Sequence, residues 1–163
     1  MNWDEYFLKI AETVALRSKD PSTKVGTVIV DEKKRPVSFG YNGLIQGADE
    51  SKLTLTERPM KYYFSMHSEI NAIIFAHRDL ANCTCYSTYA PCVDCLRFLL
   101  QAGITRIVYQ HAHVESHKNK KKASMQNPET DKAIIALLDS MPHVQAINYE
   151  TGKTYKEELL EKK

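Results

Sequence analysis

Cys83 to Gln110 reads CTCYSTYAPCVDCLRFLLQAGITRIVYQ. Cys83 to Thr88 is a short apolar run with β-branched and aromatic residues, which predicts a strand. Pro91 suits the first turn of a helix, where its missing N–H costs nothing. Val93 to Ala102 continues with helical periodicity, and Gly103 ends it. Ile104 to Gln110 is a second strand. Strands alternating with helices predict a mixed sheet covered on both faces.

The same stretch carries chemistry. Cys92 and Cys95 are three apart at the start of the helix and point the same way. A helix N-terminus favours thiolate over thiol. Upstream, His67-Ser68-Glu69 opens another helix whose apolar stripe is Ile70, Ile73 and Ile74. His67, Cys92 and Cys95 make three zinc ligands, and three protein ligands leave a fourth position open for water. Zinc lowers the pKa of bound water to about 7, so hydroxide is available at neutral pH. Glu69 is the carboxylate of the motif that is not needed as a ligand, and it can accept and donate protons by turns. His-x-Glu followed by Pro-Cys-x-x-Cys is the pattern of zinc nucleobase deaminases, whose chemistry on cytosine needs hydroxide at C4 and protons at ring N3 and the leaving ammonia. A closed zinc knot would need a fourth ligand, and Cys83 and Cys85 are the nearest candidates. They are two apart on a strand and share one face. Buried free cysteine is common, so a core role is favoured for both.

Working outward, Trp3, Tyr6, Phe7, Ile10, Ala11, Val14 and Ala15 repeat with helical period, and Asn2 can cap that helix. Val25 to Val30, a charged turn from Asp31 to Arg35, and Val37 to Tyr41 predict a hairpin. Asn42 to Met60 reads as a long loop. Asp131 to Ser140 predicts a helix, His143 to Asn148 a fifth strand, and Lys156 to Lys163 a charged helix or frayed tail. The expected fold is α/β: a three-layer α/β/α sandwich on a mixed five-stranded sheet, with 1–163 as one zinc-dependent domain. His67 and Cys92 both fall at helix N-termini, at the strand ends where open α/β sheets bind ligands.

With 163 residues, 43% of them hydrophobic, the chain can bury a sizeable core. No apolar stretch approaches a membrane span. The N-terminus lacks the basic and apolar regions of a signal peptide. Cys-x-x-Cys beside a histidine motif points to metal rather than disulfides, and so to a reducing cytoplasm. A net charge of +2 does not demand a nucleic-acid or membrane partner.

Beyond the zinc motif, the chain resembles the deoxycytidylate (dCMP) deaminases. The resemblance rests on Trp3-Asp4-Glu5-Tyr6-Phe7, Arg17-Ser18-Lys19-Asp20-Pro21, Val25-Gly26, Gly40-Tyr41-Asn42-Gly43, His67 to Ile73, Pro91 to Cys95 and Gln101-Ala102-Gly103-Ile104. It fades after Gln110. It implies the cytidine-deaminase fold and hydrolysis of dCMP to dUMP and ammonia, at a C–N bond of a cyclic amidine. The implied zinc ligands are His67, Cys92 and Cys95, with Glu69 as proton shuttle and Asn42 against the deoxyribose. Many members of the family are hexamers, activated by dCTP with Mg²⁺ and inhibited by dTTP. The implied effector residues are Gly40, Tyr41, Gly43 and Gly47. Ser68 departs from the family's His-Ala-Glu. Its hydroxyl is expected to alter contacts near the pyrimidine, which adds Ser68 to the substrate-binding set. Ile45-Gln46 stands where proline is common. No cysteine precedes His67, so one zinc per chain is expected.

Other residues carry two readings each. Lys24 is a point charge for the 5′-phosphate or an exposed strand lysine. Tyr89 stacks on the base or packs in the core. His111 and His113 follow a strand at the ligand-binding edge and suit phosphate or base contact better than metal. Lys118 to Lys122 reads as a solvated loop rather than a phosphate or polynucleotide contact. The function readings are deamination of dCMP, or of dCTP or a 5-substituted dCMP; deamination of a base in tRNA or single-stranded DNA, which would want a more basic groove; and a catalytically dead nucleotide-sensing module, which the presence of Glu69 disfavours.

Overall fold

A computed structural model describes residues 1–112 and 127–161. Helix α1 (Trp3–Ala15) starts where the Asn2 side chain accepts a hydrogen bond from the Glu5 amide at 2.8 Å. Strands β1 (Gly26–Val30) and β2 (Pro36–Tyr41) follow. Then come β3 (Gly43–Leu44), the helical turn α2 (Lys61–Phe64) and β4 (Ser65–Met66). The remainder is α3 (Ser68–Ile74), β5 (Thr84–Tyr89), α4 (Val93–Gln101), β6 (Arg106–His111), α5 (Pro128–Ser140), β7 (Gln145–Asn148) and α6 (Tyr155–Glu161).

The main sheet has the order β2-β1-β5-β6-β7. β1 pairs antiparallel with both β2 and β5; β6 pairs parallel with both β5 and β7. Strand alternation divides the core in two. Val28, Val30, Tyr86 and Val108 face Phe7, Leu8 and Ala11 of α1. Ile29, Cys85, Ile107 and Tyr109 face the other way, toward Ala72, Leu96, Leu99, Ile134 and Tyr155 of α3 to α6. Every residue of β1 is buried, because helices cover both faces. This is the expected mixed five-stranded α/β sandwich. Cys83 and Cys85 sit in the second core layer, as a core role requires.

Close approach of helix to sheet depends on two glycines. A Cβ on Gly26 would lie 2.0 Å from the carbonyl oxygen of Ala11, and one on Gly40 would lie 2.1 Å from that of Ser68. Gly40 therefore lets α3, which carries the His-Ser-Glu motif, settle onto β2.

The segment from Asn42 to Met60 is less uniformly loop than its composition suggests. Gly43–Leu44 pairs antiparallel with Ser65–Met66. A two-residue strand has no period to read. Lys61 is buried and pairs with Asp20 at 2.9 Å, with both side chains under a tenth exposed. Burial works against the Asp20 charge. Lys61 and the amides of Ser22 and Thr23 outweigh it and hold the carboxyl below its ordinary range. Among the described residues no helix is long and apolar enough to cross a membrane. His113 and Lys118 to Lys122 lie outside the described residues.

Candidate active site

The N-termini of α3 and α4 bring the motif residues together. His67 is the N-cap of α3 and Cys92 the N-cap of α4, and the Cys92 sulfur accepts a hydrogen bond from the Cys95 amide at 3.5 Å. His67 Nδ1 lies 3.2 Å from Cys95 Sγ and 3.6 Å from Cys92 Sγ. Tetrahedral zinc, at about 2.3 Å from sulfur and about 2.0–2.1 Å from nitrogen, spaces its ligand atoms roughly 3.5–3.8 Å apart. The three donor atoms all lie within 4.8 Å of one another, and this is the one such group among the described residues. The donor set therefore fits zinc with one coordination position left over.

Electrostatics support metal binding. Hydrogen bonding from Cys95 and from His67 pulls the Cys92 thiol down to about 4, against its burial. The same contact pushes His67 up to about 9, and Cys95, left holding its proton beside a thiolate, is pushed well above the usual thiol range. Two free thiols and an imidazole share protons in a buried pocket, and a divalent cation displaces such protons on binding.

Glu69 is almost fully buried, and burial raises its carboxyl above the ordinary range. It accepts a hydrogen bond from the Ser68 hydroxyl at 3.0 Å. A carboxyl beside the ligand set that is not itself one of the three donors can both take and give protons.

The other sequence candidates fall into four places. Tyr89 and His111 are register partners at the carboxyl ends of β5 and β6, with ring centroids 5.2 Å apart. His111 Nδ1 is 3.3 Å from Glu150. Asn42 is tied to backbone: its Oδ1 accepts from the Val25 amide at 2.8 Å and its Nδ2 donates to the Thr23 carbonyl at 2.9 Å. These two bonds bracket Lys24, which is exposed. Gly40, Tyr41, Gly43 and Gly47 line a cleft of about 580 Å³ together with Arg17, Lys19, Asn71 and Phe75. Ser68 is fully buried among hydroxyls. The sequence reading omitted Thr27 and Ser87, whose hydroxyls lead to Ser68, and Tyr155, whose hydroxyl donates to the Pro91 carbonyl at 2.9 Å. Strand alternation puts Thr27 and Ser87 on the same sheet face as Ile29 and Cys85, but no local signal names their partners.

Comparison with known proteins agrees with this geometry. The family described as "Cytidine and deoxycytidylate deaminase zinc-binding region" matches residues 1–111. A protein named as an uncharacterised deaminase in the luxG 3′ region of Aliivibrio fischeri is 44% identical over 105 residues, 64% of this chain and 70% of that one. Deoxycytidylate deaminase of Homo sapiens is 34% identical over 115 residues, 67% of this chain and 65% of that one. The chain thus spans about two thirds of the length of these curated relatives. The crystal structure of dCMP deaminase from cyanophage S-TIM5 in apo form superposes with a TM-score of 0.57 at 25% identity, covering 68% of this chain and 84% of that one. The same phage enzyme in complex with dCMP and dUMP gives a TM-score of 0.57 at 24% identity, over 69% and 83% of the two chains. The match over residues 1–111, which contains the convergent His67, Cys92 and Cys95 and the buried Glu69, shows that this chain belongs to the cytidine and deoxycytidylate deaminase family.

Proposed function

We propose that the chain, as one domain, hydrolyses dCMP to dUMP and ammonia. The observation that carries this reading is the buried Glu69 carboxyl beside three convergent zinc donors; the likeness to deoxycytidylate deaminases supplies the substrate class. His67, Cys92 and Cys95 would hold one zinc per chain. When bound, zinc supplies a Lewis acid that lowers the pKa of a coordinated water to about 7.

The protein's own groups do the remaining work. Glu69 takes a proton from the attacking water and passes it to ring N3 as the C4–O bond forms. It then takes the second proton from the new hydroxyl and delivers it to the amino group as the C4–N bond breaks. Tyr89 and His111 flank the approach at the strand ends, where a base can stack. Asn42 fixes the backbone on either side of Lys24, which presents an ammonium for the 5′-phosphate. The thiol ligands need a reducing compartment, so we place the chain in the cytoplasm.

The cleft lined by Gly40, Tyr41, Gly43 and Gly47 is the place for a nucleotide effector with Mg²⁺. Arg17 and Lys19 lie in its wall, although Lys19 is paired with Glu50 at 2.8 Å. On this reading the enzyme is a homo-oligomer, sigmoidal in dCMP, made hyperbolic by dCTP and suppressed by dTTP. An effector shifts only what it binds differentially, so curves unmoved by either triphosphate would remove the regulatory role.

Ammonia release from dCMP, dCTP, 5-methyl-dCMP, cytidine and an oligodeoxynucleotide, with metal analysis of the same sample, tests the main reading. The expected result is one zinc per chain and a kcat/KM highest for dCMP. Turnover confined to the oligonucleotide, or no turnover by zinc-loaded protein, would refute it.

A further inference from the structure

The residue between zinc ligand and proton shuttle is fully buried. Ser68 Oγ lies 2.8 Å from Thr27 Oγ1 on β1 and donates to Glu69 Oε2 at 3.0 Å. Thr27 Oγ1 in turn lies 3.3 Å from Ser87 Oγ on β5. Thr27, Ser68 and Ser87 are each 0% exposed. Three hydroxyls from two strands and a helix connect, one to the next, to the carboxyl of Glu69.

Proton counting sets the direction of this chain. A hydroxyl has one proton to give. When Glu69 is a carboxylate, Ser68 gives it its proton and can only accept from Thr27. Thr27 Oγ1 has one proton for two acceptors, Ser68 at 2.8 Å and Ser87 at 3.3 Å, and the shorter contact makes the better hydrogen bond. Thr27 is β-branched and sits on a strand covered on both faces, so its hydroxyl is held in place by packing. Because none of the three hydroxyls reaches solvent, the chain is no exit for protons. What it can do is orient.

We propose that Ser68, anchored by Thr27, is a positioning residue that holds one oxygen of Glu69 and so sets the orientation in which the carboxyl meets the reacting water. A carboxyl turns easily about its last torsion. Holding it near its working orientation removes a reorganisation that each proton transfer would otherwise repeat. This inference rests on the deaminase reading of Glu69, and it gives Ser68 a role other than contact with the pyrimidine.

The test is a double-mutant cycle on zinc-loaded protein with Ser68→Ala, Thr27→Val and both together, using whichever cytosine nucleotide the wild type turns over. Losing one hydrogen bond to a charged group predicts a kcat roughly tenfold lower for Ser68→Ala, with KM within about twofold. Thr27→Val should lose less, and the double variant should be no worse than Ser68→Ala alone, because Thr27 acts through Ser68. Thr27→Ser, which keeps the hydroxyl, should recover most of what Thr27→Val loses. An unchanged kcat in Ser68→Ala, a raised KM with kcat intact, or additive losses in the double variant would each overturn the proposal. A readout without turnover separates it from the deaminase reading. In ¹³C-Glu-labelled protein, the infrared carboxyl band of Glu69, identified by its loss in Glu69→Gln, should shift in Ser68→Ala. If the wild type deaminates nothing, the deaminase reading fails and the band still reports the hydrogen bond. A band unmoved by Ser68→Ala overturns the positioning role.

Discussion

Residues 1–111 and residues 127–161 build one sheet between them, yet they contribute to the site in different ways. The first region holds the ligand set, Glu69 and the glycine-lined cleft, and the family match ends with it. The second supplies β7, α5 and α6, and meets the site from behind. The Tyr155 hydroxyl donates to the carbonyl of Pro91, the residue before Cys92, at 2.9 Å. Glu158 accepts from the Tyr109 hydroxyl at 2.6 Å and from Asn148 Nδ2 at 2.7 Å, fastening α6 to β6 and β7. Chemistry restricts the first region to particular atoms at particular places. Support can be given by any buried donor that reaches the right carbonyl.

The largest expected effect lies in the first region. Glu69→Ala should keep fold and zinc, because Glu69 is not needed as a ligand, and should lose activity. A general acid–base residue contributes about 10²–10⁴-fold, and one that serves several transfers sets the loss at or above the top of that range. Steady-state rates on protein of confirmed zinc content check this. A loss of zinc with the activity would make Glu69 part of the metal's support and blur the contrast between the regions.

Tyr155→Phe is the corresponding change in the second region. It removes one hydroxyl and leaves the Pro91 carbonyl without that donor. A single neutral hydrogen bond is worth about 1 kcal/mol, which for a chain of this size lowers Tm by about 2–4 °C. If α6 braces the metal site, zinc should also pass to a chelator several-fold faster, while the KM for substrate stays as it was. A fall in Tm with no change in zinc release would reduce the second region to packing alone.

The contrast also explains which features are legible in the sequence. Period and capping were enough for α1, from Asn2 through Ala15, and for the strand–helix–strand from β5 to β6. Metal-ligand spacing was enough to expect that His67, Cys92 and Cys95 converge. The parts that escaped are pairings between distant residues: Lys61 with Asp20, 41 apart, Thr27 with Ser68, also 41 apart, and Tyr155 with Pro91, 64 apart. A hydroxyl in a strand has no pattern that announces its partner. Asn42 shows a subtler gap. Its residue type suits both a turn and a sugar contact, and the fold uses its amide to fasten the backbone on either side of Lys24. Ser68 is similar, since a small polar residue beside a metal ligand suggests a substrate contact until its burial is known.

The smallest expected effect is a control for the Tyr155 experiment. Asp4 joins α1 to the sheet on the face opposite the site. Its Oδ1 accepts from Arg106 Nη1 at 2.8 Å and from the Tyr86 hydroxyl at 2.8 Å, and its Oδ2 accepts from Arg106 Nη2 at 2.7 Å. The Arg106 guanidinium, opposed by partial burial and helped by Tyr86, holds the carboxyl below its ordinary range. A carboxyl depressed by folding adds stability above its unfolded pKa of about 3.9, and that stability is lost as pH falls through the folded value. Both side chains are about a quarter exposed, so solvent screens the pair and about 1 kcal/mol is the expected scale. Asp4→Asn should therefore be less stable than the wild type at pH 7 by about 1 kcal/mol, with the gap narrowing as pH drops into the carboxylate range. Denaturant melts at stepped pH measure this. Zinc release should match the wild type, because Asp4 touches β5 and β6 on the α1 side and nothing that holds Pro91. If Asp4→Asn speeds zinc release as much as Tyr155→Phe does, the metal site is sensitive to global stability, and the bracing assigned to α6 is not specific to it.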